Sequence, residues 1–329
     1  MRRFFLQQAM IAFYVVISTF LAGCASVPLK PESVRPAPNN SGLKVAILKS
    51  GDNGFFNGPT EGFLETIDAE VSVFTLHPET RTGDVVAGIQ SVEPQLIFAL
   101  GTAATKLASR FFDDIPIIFS MVMNYERHGF QNKTNLAGIA VEMDPAMEFL
   151  QYKMVAPTLT KVVSFHGQKS TPSFALRATE NLKMLGIELE LVPVRSLSDL
   201  RNQSSTKLED ADAVWFINDP VVGKREAFNL LRDESIRLKL PLIASLSDQF
   251  AELGALMTVA VDFKAVGAQA ASMARGILVD QTPIQKIGIR SPMAGQLTVN
   301  LDAAEKIELT IAPETLPNIN RVIGGSSDR

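Results

Sequence analysis

Short apolar runs alternate with helical segments along most of this 329-residue chain. The first run, residues 45–48, is apolar throughout, as expected for a parallel strand that is covered on both faces. Helical patterns of about ten residues separate successive runs, which is typical of βαβ units in a parallel sheet. The sequence therefore predicts an α/β protein.

Residues 135–144, Asn-Leu-Ala-Gly-Ile-Ala-Val-Glu-Met-Asp, lie between two such series of strands and helices. Asp144 is a candidate N-cap for the helix that follows, and Pro145 suits its first turn. A single sheet of this length would need about ten strands, near the upper end of the usual range. We therefore interpret residues 135–144 as a crossover between two doubly wound, parallel-sheet lobes. The alternative on strand count alone is a β/α barrel.

A second long apolar run, residues 255–261, is a candidate return crossover, and a third pass lies near residues 292–300. Three passes predict a multi-strand hinge between two lobes that can close. The expected first lobe contains residues 43–138 and 262–292. The expected second lobe contains residues 139–261 and 293–325, and residues 326–329 form a tail.

The amino terminus has the pattern of a bacterial export signal. Met1-Arg2-Arg3 is basic, residues 4–20 are mostly apolar, and Leu-Ala-Gly precedes Cys24. This ending is similar to a lipobox, in which Cys24, the only cysteine, becomes the acylated (for example palmitoylated) first residue. The alternatives are a plain signal peptide and an uncleaved anchor helix. The sequence thus predicts a signal peptide at 1–23 and a lipoprotein that is anchored to a membrane without spanning it.

The segment from 24 to 42 contains four prolines and no apolar periodicity, so we expect a tether between the lipid and the folded body. The expected location is the bacterial cell envelope, with the body facing the periplasm or the cell exterior. In a Gram-negative cell, Ala25 in place of Asp after the cysteine leaves the outer membrane open as the site of anchoring.

Charge and motifs exclude several functions. The formal net charge is −4, and removal of Arg2 and Arg3 with the signal peptide makes it −6, so no nucleic-acid partner is expected. The chain lacks dinucleotide, P-loop and nucleophile-elbow motifs, and His77, His128 and His166 are widely spread. We expect no cofactor, no metal site and no catalytic residues; an envelope enzyme is the least favoured alternative.

Eight stretches carry a family resemblance. They are Leu-Gly-Thr-Ala-Ala-Thr at 100–105, Ile-Pro-Ile-Ile-Phe at 115–119, Thr-Asn-Leu-Ala-Gly-Ile at 134–139, Lys-Val-Val-Ser-Phe at 161–165, residues 210–218, Pro-Leu-Ile-Ala-Ser at 241–245, Val-Asp-Phe-Lys-Ala-Val-Gly at 261–267 and Gln-Leu-Thr-Val-Asn-Leu-Asp-Ala-Ala at 296–304. In this order, behind a lipobox, the chain resembles the ABC-transporter substrate-binding lipoproteins of the tryptophan/tyrosine-transporter type. The resemblance spans residues 43–325.

That resemblance implies a periplasmic-binding-protein type I fold. It also implies a monomer that captures a small, amino-acid-like ligand by lobe closure and delivers it to an ABC permease with its ATPase subunits. One stretch departs from the family: Asp-Pro usually follows the fourth strand, and here residues 120–126 read Ser-Met-Val-Met-Asn-Tyr-Glu. This departure, together with Ala25, favours the alternative of a sensory or structural lipoprotein that signals to a membrane sensor protein without transport.

Ligands of parallel α/β sheets bind outside the carboxyl ends of the strands. Gly101-Thr102 is the best candidate for a small anion, because a helix begins there and Thr102 adds a hydroxyl. The alternative is a plain helix N-cap. The other first-lobe candidates follow the first and fourth strands: Gly51, Asp52, Phe55, Ser120 and Asn124. For the loop that holds the first three, the alternatives are a mobile surface loop and, at Phe55, simple packing.

The second lobe offers four further ligand-binding candidates just past its strands: His166, Asn218, Asp219 and Ser245. A fifth, Asp262, opens the helix after the return crossover. Asp219 or Asp262 would hold an α-amine. The alternatives are a turn that begins at Asp219-Pro220 and a helix N-cap at Asp262. For His166 the alternative is a strand-end histidine without a ligand.

Overall fold

In the computed structural model, the described residues form two sheets of seven strands each, with an apolar cluster on either face of each sheet. The structure describes residues 27–39, 41–168, 173–217, 219–245 and 247–325, without the side chains of 173–175. The predicted signal peptide, the lipidation site Cys24, the ligand candidate Asn218 and the tail at 326–329 lie outside these residues and stay predictions.

The strands are short, as expected for a parallel α/β fold. They are β1 (Ser33–Arg35), β2 (Lys44–Lys49), β3 (Glu70–Thr75), β4 (Leu96–Leu100), β5 (Ile117–Ser120), β6 (Leu136–Ile139), β7 (Lys161–Gly167), β8 (Glu188–Val194), β9 (Ala213–Phe216), β10 (Leu242–Ser245), β11 (Met257–Val261), β12 (Ile289–Arg290), β13 (Gly295–Asn300) and β14 (Arg321–Ile323).

Helices connect most of these strands. They are α1 (Asn57–Thr66), α2 (Thr82–Ser91), α3 (Thr102–Phe111), α4 (Pro145–Val155), α5 (Ser173–Met184), α6 (Leu197–Lys207), α7 (Arg225–Leu238), α8 (Gln249–Glu252), α9 (Phe263–Leu278), α10 (Ile284–Ile287) and α11 (Leu301–Lys306). Short 3-10 helices lie at Gly54–Phe56, Tyr125–His128, Phe130–Asn132 and Pro313–Asn318. Over the described ranges, no helix has the length and apolar character that crossing a membrane requires.

The predicted two-lobed α/β fold is confirmed, although the sheets are mixed. The first sheet has the order β1-β3-β2-β4-β5-β6-β12, in which β1 runs antiparallel to β3 and the other pairs are parallel. The second has the order β14-β13-β11-β10-β9-β7-β8, in which β13 runs antiparallel to β11. The sheets depart from the parallel pattern at one edge strand of the first sheet and at β13 and β14 of the second, which run parallel to each other.

Within the described residues the chain passes three times between the sheets: after β6, between β11 and α9, and between β12 and β13. The passes are joined by backbone hydrogen bonds. The Ala140 N–H donates to the Arg290 carbonyl (2.8 Å), and the Asp262 N–H donates to the Ala294 carbonyl (3.3 Å). Adjacent strands that share few bonds can bend together, so this arrangement suits a hinge.

Two glycines set the helix packing of the first lobe, where α1 lies against α9. A Cβ atom on Gly62 would lie 1.9 Å from the Lys264 carbonyl oxygen, and one on Gly267 would lie 2.1 Å from the Pro59 carbonyl oxygen. Both distances are far inside van der Waals contact, so the two backbones approach as closely as they do only because these positions lack side chains.

Part of the predicted tether belongs to the folded body. Strand β1 pairs with β3, and the Arg35 guanidinium donates to the carbonyls of Ile67 (2.8 Å) and Ala69 (3.2 Å). Upstream, the Leu29 N–H donates to the Asp84 carbonyl (2.9 Å). Placing these residues in a tether was wrong, because a three-residue edge strand beside prolines carries too few residues to show a period.

Candidate ligand-binding cleft

The carboxyl ends of the parallel strands in the two sheets form the edges of a cleft. Strand β6 of the first sheet and β11 of the second both continue from their carboxyl ends directly into the hinge passes. The carboxyl edges of both sheets therefore point towards the opposite lobe. This edge is where α/β sheets bind ligands, and the described candidates from the sequence follow strands that end there.

In the first lobe, the amino terminus of α3 is already capped by a neighbouring strand end. The Ser50 hydroxyl accepts a hydrogen bond from the Ala104 N–H (2.9 Å). Gly101 has φ of 87°, and a Cβ there would lie 2.7 Å from Ser50 Oγ and 3.0 Å from the Phe56 ring. Gly101 thus serves a close contact between loops. Ser50 takes one of the N–H groups that the sequence assigned to an anion, while Thr102 stays half-buried at the rim.

The loop after β2 is the most open part of the first-lobe edge. Gly51 is half-buried, Asp52 is exposed, and Phe55 is 70% exposed. Phe56, by contrast, is buried against the first-lobe core. Of the two neighbouring aromatic residues, Phe56 therefore packs in the core, while Phe55 is available to contact a ligand.

Ser120 and Asn124 lie beside the hinge. Ser120 is buried, and its hydroxyl donates to the Ile139 carbonyl (3.3 Å). Asn124 has left-handed backbone geometry with φ of 48°, and its backbone N–H donates to the carboxyl group of Glu142 in the first hinge pass. Asn124 thus lies next to the Glu142 carboxylate, which was not among the site residues predicted from the sequence.

In the second lobe, Ser245 belongs to a buried hydrogen-bond network. Its hydroxyl accepts from the Trp215 indole N–H (2.8 Å) and donates to Glu148 Oε1 (2.5 Å). Tyr152 Oη lies 2.6 Å from the same Glu148 oxygen and 2.9 Å from the Ala244 carbonyl. Burial raises the pKa of the Glu148 carboxyl group to about 7, although its hydrogen bonds with Ser245, Tyr152 and Trp215 act to lower it.

The hydrogen bonds of this network are all satisfied when the Glu148 carboxyl group carries a proton. A hydroxyl has a single proton to donate, so Tyr152 can donate either to Glu148 or to Ala244. If Glu148 is protonated and donates to Tyr152, then Tyr152 donates to Ala244 and every donor has an acceptor. The network therefore suits a neutral carboxylic acid, in agreement with the direction of the pKa shift.

The remaining described candidates make local bonds. His166 is buried, with Nδ1 3.0 Å from the Gly167 carbonyl oxygen. The Asp219 carboxylate accepts from the backbone N–H groups two and three residues later (2.7 and 3.2 Å), which forms a turn. Asp262 caps α9 by accepting from the Ala265 N–H (2.9 Å). These are the turn and the N-cap that the sequence offered as alternatives; a ligand contact at any of these residues stays a prediction.

A polar cavity of ≈ 340 Å³ lies where the cleft meets the hinge. It is lined by the loop after β5, by two hinge passes and by the first helices of the second lobe. Its tyrosine and charged lining residues are Tyr125, Glu126, Glu142, Asp144, Arg177 and Arg290. The cavity thus combines carboxylates, guanidinium groups and a phenol from both lobes.

One ion pair crosses the cavity from lobe to lobe: Arg177 Nη1 of α5 lies 2.7 Å from Glu126 Oε1 of the first lobe. Burial raises the pKa of the Glu142 carboxyl group, although a hydrogen bond from its own backbone N–H and the positive charge of Arg177 act to lower it. Asp144 is occupied in capping α4, where it accepts from the Ala146 N–H (2.8 Å). Opposite charges and backbone donors together favour a ligand that carries charge.

Sequence reasoning did not select Glu126, Glu142, Arg177 or Arg290 as site residues. Glu126 and Arg177 are 51 positions apart, and no local pattern predicts that they meet. Glu142 did give a signal, since it is one of the two charged residues, with Asp144, within the crossover segment 135–144. In the portion of the chain that the structure describes, no group of three His, Cys, Asp or Glu side chains is placed to hold a metal ion.

The sequence matches the family described as ABC transporter substrate binding protein over residues 77–323. No curated protein matches the chain.

Several solved structures share the fold. The ligand-free, open structure of a substrate-binding protein with adhesive properties from Clostridium difficile has a TM-score of 0.63 at 16% identity, over 86% of this chain and 100% of that one. An ABC domain from Streptococcus pneumoniae in complex with L-Trp has a TM-score of 0.54 at 16% identity, over 85% and 99% of the two chains. A conserved domain protein from Vibrio cholerae has a TM-score of 0.52 at 17% identity, over 85% and 99%.

Proposed function

Because the chain belongs to the ABC transporter substrate-binding protein family, we propose that it captures a small solute between its lobes and delivers it to an ABC permease and its ATPase. The observation that carries this proposal is the family match, which includes the second sheet, the hinge and the first sheet from β4 onward. The two-lobed fold supports it, because a cleft bounded by a hinge is suited to capture by closure.

The ligand we propose is amino-acid-like. The Streptococcus pneumoniae neighbour is in complex with L-Trp, and the cleft of this chain presents both carboxylates and guanidinium groups near the hinge. We propose that Asp52, Phe55 and Thr102 on the first-lobe edge contact the solute; Asp52 and Phe55 are exposed and Thr102 is half-buried. Contacts by Gly51 and Gly101 would come from their backbone.

The mechanism is a population shift between open and closed lobes. A solute that contacts both lobes binds the closed form more tightly and so increases its population. The three hinge passes would bend, while each sheet with its helices moves as a unit. A permease that recognises the closed form then distinguishes loaded from empty protein.

We further propose that the protein is an exported lipoprotein whose acylated Cys24 holds it at the membrane. Cys24→Ser is expected to shift the protein from the membrane fraction to the soluble fraction, because the chain has no other cysteine to acylate. Ser26→Ala, a conservative change beside the lipobox, is the matched control. A Cys24→Ser variant that remains in the membrane fraction would refute the lipid anchor.

A second candidate is a sensory or structural lipoprotein that uses the same cleft without transport. Two sequence features favour it. Residues 120–126 lack the Asp-Pro that is usual in the family that the chain resembles, and Ala25 follows the lipobox cysteine. A measurement of solute uptake by cells distinguishes transport from sensing. Transport requires that deletion of the gene lowers accumulation of the labelled solute, whereas a sensor leaves accumulation unchanged and alters the response of its membrane partner.

Solute binding is tested by titrating the full chain in detergent with single amino acids and other small solutes. Trp215 is fully buried and bonded to Ser245 at the second-lobe edge, so its fluorescence reports on that edge. A bound solute also raises the melting temperature by mass action. We expect at least one amino acid to change both signals. If no solute in the panel changes either signal, and native mass spectrometry detects no carried ligand, the receptor function is wrong.

A further inference from the structure

The hinge cavity contains two opposite charges that make no ion pair with each other or with another described residue. Arg290 is exposed to the cavity, and its Nε donates to the Ile287 carbonyl (3.1 Å) without a carboxylate partner among the described residues. The Glu142 carboxylate accepts from its own backbone N–H and from that of Asn124. It has no basic nitrogen within salt-bridge distance in the described ranges.

The two groups lie on neighbouring hinge strands. Arg290 pairs with Ile139 in the β12–β6 register, and its carbonyl accepts from the Ala140 N–H (2.8 Å). Glu142 lies two residues beyond Ala140 on the same pass, and both side chains line the same cavity. A positive and a negative group therefore border one cavity at positions that the backbone fixes.

The other charged groups of the cavity already have partners. Glu126 and Arg177 pair with each other at 2.7 Å, and Asp144 accepts from the Ala146 N–H at 2.8 Å. Glu142 and Arg290 are therefore the charged groups of the cavity that have no ion-pair partner among the described residues. Glu142 is half-buried, and a ligand cation beside its carboxylate offsets the cost of desolvating that charge.

We propose that Glu142 and Arg290 recognise the two charged ends of a zwitterionic solute, with its ammonium group on Glu142 and its carboxylate on Arg290. This inference rests on the receptor function proposed above and assigns the site and the ligand class. An arginine fork matches a carboxylate with two parallel hydrogen bonds. The cavity volume of ≈ 340 Å³ lies within the usual range for small-molecule sites.

The site also couples recognition to closure. Glu142 and Arg290 belong to the hinge, Tyr125 and Glu126 come from the first lobe, and Arg177 comes from the second. A solute held on the hinge charges therefore contacts both lobes at once. Such a solute stabilises the arrangement in which the two lobes approach each other, which is the requirement for a closure-linked ligand.

The test is calorimetric titration of the full chain in detergent with the twenty L-amino acids, one at a time. For any that binds, the matching amino-acid amide and the decarboxylated amine are titrated as well. The amide lacks the carboxylate but keeps the ammonium, so it should bind about tenfold or more weakly to the wild type. The amine should be weakened by a similar factor.

Arg290→Gln and Glu142→Gln should each weaken amino-acid binding by about tenfold or more. Arg290→Gln should in addition abolish the preference for the acid over the amide, a change that a merely structural effect would not produce. The matched controls are Arg201→Gln and Glu209→Gln, which replace exposed residues away from the cavity and should change affinity by less than about twofold.

The outcomes separate the two proposals. If the wild type binds an amino acid, its amide and its amine equally, or if both cavity variants bind normally, the receptor function stands and the charge-recognition site is wrong. The same holds if only uncharged solutes bind. If no solute binds, both proposals are wrong. The comparison of acid, amide and amine on the wild type tests recognition of the carboxylate by Arg290 even if a variant fails to fold.

Discussion

The two lobes share an architecture and differ in the polar groups that they bury. Among the described residues, the buried side chains that can ionise, Glu148, Tyr152, His166 and Asp219, all belong to the second lobe. The buried polar side chains of the first lobe are serines and threonines: Ser72, Thr75, Thr105, Ser109 and Ser120. The second lobe thus holds titratable groups inside its core, whereas the first lobe is held by apolar packing and close helix contact.

The same contrast extends to the cleft. At the second-lobe edge, Ser245 and Asp219 donate or accept hydrogen bonds within the protein. At the first-lobe edge, Asp52 and Phe55 are exposed, and the structure records no side-chain hydrogen bond from Asp52 among the described residues. The difference indicates that the first lobe and the hinge offer groups to a solute, while the second lobe presents a surface that is already internally bonded.

The largest expected effect is a pH dependence that belongs to the second lobe. The pKa of Glu148 is raised from 4.5 to about 7. Between these two pH values, the folded protein therefore keeps a proton that the unfolded chain releases. Its stabilising contribution is complete below pH 4.5 and is lost as the pH rises through 7. A shift of this size corresponds to about 3 kcal/mol in the free energy of unfolding.

Urea denaturation between pH 4 and pH 8 measures this dependence. Glu148→Gln should remove most of the pH-dependent loss, because an amide stays neutral and its oxygen can accept from both Ser245 and Tyr152, as Glu148 Oε1 does. Glu209→Gln, at an exposed position, should retain the wild-type profile. Identical pH profiles for the wild type and Glu148→Gln would contradict a buried, proton-binding carboxyl group.

The next effect belongs to the first lobe and does not depend on pH. Gly267→Ala places a Cβ 2.1 Å from the Pro59 carbonyl oxygen, so α1 and α9 must separate, and we expect a loss of about 2 kcal/mol in unfolding free energy. Gly276→Ala lies on the same helix, and its nearest contact is 3.4 Å, so a gain of about 0.5 kcal/mol is expected from helix propensity. Chemical denaturation of both variants should give shifts of opposite sign; equal shifts would show that the helix contact is not tight.

A smaller effect concerns the strand that the sequence placed in the tether. Arg35→Ala removes two hydrogen bonds to the carbonyls of Ile67 and Ala69 and should lower the free energy of unfolding by about 1 kcal/mol. Proteolysis near β1 should become faster, because the edge strand detaches more easily. Lys30→Ala, at an exposed neighbouring position, is the control. Unchanged stability and proteolysis in Arg35→Ala would mean that β1 is not docked in solution.

The smallest expected effect is at the contact between the lobes. Glu126 and Arg177 form an exposed ion pair, so Glu126→Gln should change stability by less than about 0.5 kcal/mol, and added salt should reduce the difference further. Denaturation at low and high salt measures both. A loss above about 1 kcal/mol would mean that the pair locks the lobes together, contrary to a freely bending hinge.

The sequence predicted the features that depend on local pattern. Continuous apolar runs such as residues 45–48 identified the buried strands, and residues 135–144 identified the first hinge pass. Features that depend on tertiary contact were missed. Strand β1 is short and becomes a strand only against β3, and a glutamate in a helix, such as Glu148, gives no sign that its surroundings are buried. The ion pair of Glu126 and Arg177 joins residues on different lobes, which periodicity does not relate.

Closure of the two lobes on a solute is measured most directly by the distance between spin labels on their rims. Cys24 is the only cysteine, so Glu79→Cys and Ser198→Cys in a Cys24→Ser background give one exposed label near an edge strand of each lobe, away from the hinge. Addition of a solute that binds by calorimetry should shift the label distance to shorter values. An unchanged distance distribution at saturating solute would contradict capture by closure.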